Sequence, residues 1–149
     1  GRAYALRLAA YGARVVVNDA GVATDGSSTR EDPAADVIAE ITGAGGEAIA
    51  QRGDIGDARV ADELVQRALD AWGRLDIVIN NAGAGQTGPM ADVPLERVRH
   101  LFDVNVFGTL AVTQKVLPRM VAKGAGRIII VSSIAGVMVA RYSAFSCLR

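Results

Sequence analysis

Four short stretches carry side chains suited to holding a small polar molecule: Asp19, Asp54, Asn80-Asn81-Ala82-Gly83 and Ser132-Ser133. Each follows a segment that reads as a β-strand: Val15-Val16-Val17 before Asp19, Glu47 to Arg52 before Asp54, Leu75 to Asn80, and Ile128-Ile129-Ile130-Val131 before the serines. In an open parallel sheet ligands bind at the carboxyl ends of the strands. A carboxylate there accepts hydrogen bonds from a ribose diol and repels a phosphate on the same sugar. Asp19 fits that role by position, and the alternative is a solvated strand-end residue. Ala82 and Gly83 add no bulk, so a backbone can approach a flat ligand closely.

Gly83-Ala84-Gly85-Gln86-Thr87-Gly88 matches the G-x-G-x-x-G pattern. That fingerprint needs a helix opening directly on the glycines and an acid about 20 residues on. Here Pro89, Asp92 and Pro94 delay the helix, and the acid would be Asp103, inside a helix. A glycine-rich loop is the better reading.

The elements that must position these residues alternate regularly. Arg2 to Tyr11 reads as a helix stopped by Gly12, and Ala13 to Asn18 as a strand covered on both faces. Ala20 to Asp32 is a polar loop, and Asp32-Pro33 opens a helix with Val37, Ile38 and Ile41 on one face, ending at Gly45-Gly46. After the second strand, Asp57 caps a helix in which Val60, Leu64, Ala68 and Trp72 recur before Gly73. The third strand leads into the Asn81 to Gly85 loop. Pro94 opens a long helical stretch, with a break near Phe102, that runs to about Lys123, and Arg127 to Val131 is the fourth strand. This α-β-α-β-α-β-α-β order predicts an α/β fold with a doubly wound parallel sheet, Rossmann-like, in a single domain.

Composition agrees with one folded domain: 149 residues, 50% hydrophobic and 21% charged. Sixteen Lys+Arg balance sixteen Asp+Glu, so no net field attracts nucleic acid or an anionic membrane. Cys147 is the single cysteine and His100 the single histidine, which argues against an internal disulfide or a histidine metal site. No apolar run approaches the roughly 20 residues of a membrane span, and a cytoplasmic location is expected.

Asn80-Asn81-Ala82-Gly83 after an apolar strand, Asn105 within Asp103-Val104-Asn105-Val106-Phe107-Gly108, Ile130-Val131-Ser132-Ser133, and Tyr142-Ser143-Ala144 together resemble the classical short-chain dehydrogenase/reductase family. The likeness runs from Gly1 to about Gly136. Val17-Asn18-Asp19 with its polar loop, and Gly45-Gly46-Glu47-Ala48, further resemble the dehydrogenase part of peroxisomal multifunctional β-oxidation proteins and related bacterial hydroxysteroid and hydroxyacyl-CoA dehydrogenases.

The resemblance implies an NAD(H)-dependent oxidoreductase moving hydride between the nicotinamide and a secondary alcohol or ketone. Gly1 would be the last glycine of the pyrophosphate turn, and Asp19 would hold the adenosine ribose and favour NAD over NADP. Asp54 and Ile55 would flank the adenine, and Asn81, Ala82 and Gly83 would lie along the cofactor while Asn80 braces the strand end. Tyr142 would be the acid/base, Ser133 would hold the substrate oxygen, and Asn105 would join a proton relay. The resemblance also implies a homo-oligomer, built through the helix from Asn105 to Lys123.

Two departures stand out. The family's lysine, four residues after the tyrosine, is Ser146 here, and the interval from Ser133 to Tyr142 is shorter than usual. The family's strand before the first helix and its region after the catalytic helix are expected outside this stretch, so residues 1–149 would form part of a cofactor-binding domain. A dinucleotide-binding module without catalysis is the alternative.

Overall fold

The computed structural model describes residues 1–21, 32–86 and 88–134. The chain divides into two compact units, Gly1–Asp54 and Ile55–Arg149.

The first unit runs α1 (Arg2–Ala10), β1 (Val15–Asp19), α2 (Pro33–Gly43) and β2 (Ala48–Arg52). β1 and β2 pair in parallel, in register from Val15 with Ala48 to Asp19 with Arg52. The expected cap of α2 is present: Asp32 Oδ1 accepts the amides of Ala34 and Ala35 at 3.1 and 3.2 Å, and Pro33 follows at the first helical position. Ala5, Val37 and Ile41 form the buried centre, with Leu6, Ala9, Val15, Val17 and Ala48 packed around it. That cluster fixes both helices against the sheet and holds the carboxyl end of β1 in place.

The second unit contains α3 (Ala58–Trp72), β3 (Ile77–Asn80), a 3₁₀ turn at Met90–Asp92, α4 (Leu95–Phe102), a π-helical segment at Asp103–Gly108, α5 (Thr109–Lys123) and β4 (Arg127–Ile130). β3 and β4 are again parallel, from Ile77 with Arg127 to Asn80 with Ile130. Asp57 caps α3 by accepting the Arg59 amide at 2.9 Å, and Gly73 ends it at φ +68°. Val65, Val116 and Met120 form this unit's core with Leu69, Leu75, Val78 and Ile128. The alternation of helices with parallel strands is the α/β order expected.

Three local expectations change. The buried stripe of α3 is Ala61, Val65 and Ala68, not Val60, Leu64, Ala68 and Trp72. A four-residue repeat overshoots the 3.6-residue turn and drifts around the helix, whereas steps of four then three stay on one side. The break near Phe102 is a π-helical segment rather than a gap between helices. The first strand, expected to be covered on both faces, is only partly covered: no residue of β1 is buried, nor any of β3 or β4, and Ile130 is 59% exposed. Among the described residues each sheet has two strands, so every strand is an edge.

The π-helical segment depends on Gly108. A Cβ there would lie 2.6 Å from the Ile55 carbonyl oxygen, a backbone atom that cannot swing aside. Helix propensity alone favours Ala over Gly by about 1 kcal/mol, so the sign of Gly108→Ala tests the contact. We expect a net loss of about 1–3 kcal/mol in urea unfolding, typical of overpacking; a gain would show that the segment yields freely.

At the base of β3, Asp76 accepts from Arg74 Nε at 2.7 Å and from Lys123 Nζ at the end of α5, while its carbonyl accepts the Arg127 amide at 2.9 Å. The hydrogen bond from Arg74 and then that from Lys123 lower its pKa from 3.8 to about 2. The folded value lies below the unfolded one, so the stabilisation is complete above the unfolded pKa and is lost as pH falls toward about 2. The side chain is 43% exposed, and solvent screening holds the contribution below about 1 kcal/mol. Asp76→Asn should flatten that part of the acid-denaturation profile, and an unchanged profile would assign the acid sensitivity elsewhere.

Candidate functional site

In the first unit, the carboxyl end of β1 is tied to the segment after β2. The Gly53 amide donates to the Asp19 carbonyl at 3.0 Å, and Asn18 Nδ2 donates to the Gly53 carbonyl at 3.2 Å. Gly53 is thus clipped at both backbone groups, which fixes the chain immediately before Asp54. Asn18 was not singled out by sequence reasoning. The available signal was an amide side chain on an otherwise apolar strand, one residue before the strand-end acid. Its Oδ1 is buried and has no hydrogen-bond partner among the described residues.

Asp19 itself is half-buried. Its Oδ1 accepts the Gly21 amide at 2.7 Å in a tight side-chain turn, made possible by Gly21 at φ +69°. Oδ2 has no partner among the described residues. One oxygen is therefore held and the other is open to a donor, as a diol ligand requires. Gly1 precedes α1 and has no side-chain cap; its carbonyl accepts the amides of Tyr4 and Ala5, both at 3.1 Å. The neighbouring Arg2 is turned to α2, where Nε and Nη2 meet the two oxygens of Glu40 at 2.9 and 2.5 Å. That pairing raises the Arg2 pKa through the hydrogen bond to Glu40 and occupies the cation nearest Gly1. Asp54 is exposed at the unit's last position.

In the second unit, β3 ends at Asn80, whose carbonyl accepts the Val131 amide at 3.0 Å. Asn80 Nδ2 reaches Thr113 Oγ1 of α5 at 3.4 Å, the bracing contact expected of it. Asn81 is half-buried, and Ala82 and Gly83 are exposed along the loop that follows. Asn105 closes that loop. Its Oδ1 accepts the Ala84 amide at 2.8 Å and its Nδ2 donates to the Ala84 carbonyl at 2.9 Å, so one side chain satisfies both backbone groups of one residue. Asn105 is 8% exposed and lies in the π-helical segment. Such segments interrupt a regular helix and recur at functional sites; this one turns the Asn105 amide toward the loop.

Ile55 has its carbonyl against Gly108, so the segment that positions Asn105 also positions Ile55. Ser133, half-buried, follows β4 by three residues. Tyr142 and Ser146 lie outside the described residues. The structure therefore brings Asn105 to the Asn81–Gly83 loop through Ala84, and links Asp19 to the approach to Asp54 through Gly53.

The chemistry open to this arrangement is recognition of a polar ligand. Asp19 fits a diol, and the small-residue loop held by Asn105 fits a flat ligand running along its backbone. Among the described residues, no three His, Cys, Asp or Glu side chains could hold a metal ion together, and no helix is long and apolar enough to cross a membrane.

A family model described as short chain dehydrogenase matches residues 1–147. The chain is 39% identical over 138 residues to a 3-oxoacyl-[acyl-carrier-protein] reductase of Synechocystis, a match covering 93% of this chain and 53% of that protein. It is 36% identical over 137 residues to peroxisomal multifunctional enzyme type 2 of Drosophila melanogaster, covering 92% of this chain and 22% of that one. The chain spans about half the length of the curated reductase it matches. Among solved structures, a short chain dehydrogenase from Mycobacterium avium superposes with a TM-score of 0.85 at 37% identity, covering 99% of this chain and 53% of that chain. A metagenomic short-chain oxidoreductase in complex with NADP gives a TM-score of 0.84 at 29% identity, covering 99% and 66%.

Proposed function

Because this chain belongs to the short-chain dehydrogenase family, we propose that the protein containing it is an oxidoreductase that passes hydride between NAD(H) and a secondary alcohol or ketone. The observation that carries the proposal is Asp19: a strand-end carboxylate with one oxygen held by Gly21 and the other open. Asp19 would hold the adenosine ribose, and its charge favours NAD over NADP. Asp54 and Ile55 would flank the adenine. Gly1 would set the α1 amides near the pyrophosphate, and Asn81, Ala82 and Gly83 would line the cofactor's path.

The nicotinamide supplies or accepts the hydride; the chain's own groups handle the proton and the orientation. Tyr142 would give a proton to the carbonyl or take one from the alcohol, and Ser133 would hold that oxygen by hydrogen bonding. Asn105 would hold the loop through Ala84, with the relay role implied by resemblance drawing on the same side chain. The names of the relatives support a small-molecule substrate. A cytoplasmic location is part of the same reading, supported by a chain with one cysteine. A homo-oligomer is supported by exposed Leu110, Leu117 and Val121, which recur on one side of α5.

The test is direct titration with NADH, followed by fluorescence and calorimetry. We expect saturable binding that weakens about tenfold or more in Asp19→Ala, the loss of a charge-assisted hydrogen-bond pair. A folded chain that fails to bind NADH at millimolar concentration would overturn the proposal.

A further inference from the structure

At the amino end of β3, the end away from Asn80, the last turns of α3 and α5 frame an open groove of about 390 Å³. Small-molecule sites occupy roughly 300–1,000 Å³. Its floor is apolar, with Leu69 and Leu75 half-buried beside Val116, which belongs to the core of the second unit. Its rim is cationic, formed by Arg74, Arg119 and Lys123. Arg74 and Lys123 both donate to Asp76, so their charge is already answered. Arg119 is exposed and has no carboxylate partner among the described residues. The helix-end acceptors nearby are taken: the Leu69 carbonyl by the Gly73 amide at 2.7 Å, and those of Val121 and Met120 by the amides of Gly124 and Ala125 at 3.0 and 3.2 Å. Asp70 Oδ1 accepts from Gln66 Nε2 at 2.6 Å. At 3.6 residues per turn, Val116, Arg119 and Lys123 face away from Leu110, Leu117 and Val121. A partner seated on that other side of α5 would therefore leave the groove open.

We propose that this groove is a second binding site, separate from the cofactor's, for a small carboxylate with an apolar tail. The carboxylate pairs with Arg119, and the tail lies on Leu69 and Leu75 over Val116. A guanidinium meets a carboxylate through two parallel hydrogen bonds, a match of shape as well as charge. Covering the half-buried leucines adds a gain that grows with the apolar area removed from water. A single unanswered cation suits a singly charged head group better than a phosphate monoester, which carries about −1.5 to −2 near neutral pH. An ammonium would find the rim repulsive and the neighbouring carbonyls occupied. Neither half of the ligand is held well alone: the head sits at an exposed rim where solvent weakens an ion pair, and the tail needs the head to fix its place.

The experiment titrates the full chain with three probes by calorimetry: octanoate, octanol, which keeps the tail without the charge, and acetate, which keeps the charge without the tail. Octanoate is expected to bind saturably, with octanol and acetate each at least about tenfold weaker. Arg119→Gln, an exposed change that leaves the core intact, should weaken octanoate about tenfold and octanol hardly at all. Arg119→Lys, which keeps the charge but not the planar fork, should recover part of that loss. Added salt should weaken octanoate more in wild type than in Arg119→Gln. Octanol binding as tightly as octanoate, acetate binding as tightly as octanoate, or octanoate binding unchanged in Arg119→Gln would each overturn the proposal. So would a folded wild type that shows no saturable octanoate binding at millimolar concentration. NADH titrated in parallel reads the cofactor assignment separately, since Arg119→Gln should leave its affinity unchanged.

Discussion

Asn105→Ala is expected to lower the melting temperature by about 5–15 °C and to weaken NADH binding at least tenfold, on the loop-ordering and hydrogen-bond costs that follow. The substitution leaves the amide and carbonyl of Ala84 without the two hydrogen bonds that Asn105 supplies. An unsatisfied buried polar group costs about 1–3 kcal/mol. With part of that recovered by water at the half-buried Ala84, the sum is about 2–4 kcal/mol, which in a domain of this size corresponds to the melting shift stated. Binding falls because the Asn81–Gly83 loop is tethered through Ala84, and a loop that must be ordered by the ligand binds it more weakly. Asn105→Asp separates the two bonds: its carboxylate still accepts the Ala84 amide but repels the carbonyl, so it should fall between wild type and alanine. A melting point within about 2 °C of wild type, with turnover lost, would instead make Asn105 a proton-relay group and not a clamp.

Ser146→Lys is expected to raise kcat/KM for the alcohol substrate by about two orders of magnitude at neutral pH. The phenol of a free tyrosine has a pKa near 10, so in the acid/base role proposed for Tyr142 a tyrosine would be a weak base at neutral pH unless a cation favours its phenolate. Residue 146 follows it by four positions in the sequence, the place of the lysine in the family this chain belongs to. A shift of about two pKa units corresponds to about 2.7 kcal/mol and a hundredfold change in the phenolate population. The rise of the oxidation rate with pH should move down by the same amount, since a lowered phenol pKa fills the basic form at lower pH. Tyr142→Phe combined with Ser146→Lys should show no gain. Tight NADH binding with no turnover in either Ser146→Lys or the parent chain would support a dinucleotide-binding module without catalysis.

Much of this was legible in the sequence because local rules decide it. Asp32-Pro33 and Asp57 announced their helices through capping chemistry that involves only the next few residues. Asn80 and the small residues after it were singled out because strand ends in parallel sheets collect ligand-facing groups. The missed features are those fixed by residues distant in the chain. Asn105 meets Ala84 across 21 positions and Asn18 meets Gly53 across 35, and no periodicity encodes either pair. The π-helical form of the break near Phe102 follows from the same cause: Gly108 admits the Ile55 backbone, and Asn105 turns to the loop.

The partly exposed β4 strand has a consequence for how the molecule behaves in concentrated solution. Ile128-Ile129-Ile130-Val131 combines β-branched side chains with no charge and no proline, the composition from which cross-β contacts nucleate. Ile129 and Ile130 are both exposed. This stretch is therefore one place where chains can associate, and turbidity should climb with protein concentration while the fold is still intact. Arg127, at the head of the strand, acts as a gatekeeper against such stacking at low ionic strength, and salt that screens its charge should speed the onset of particles.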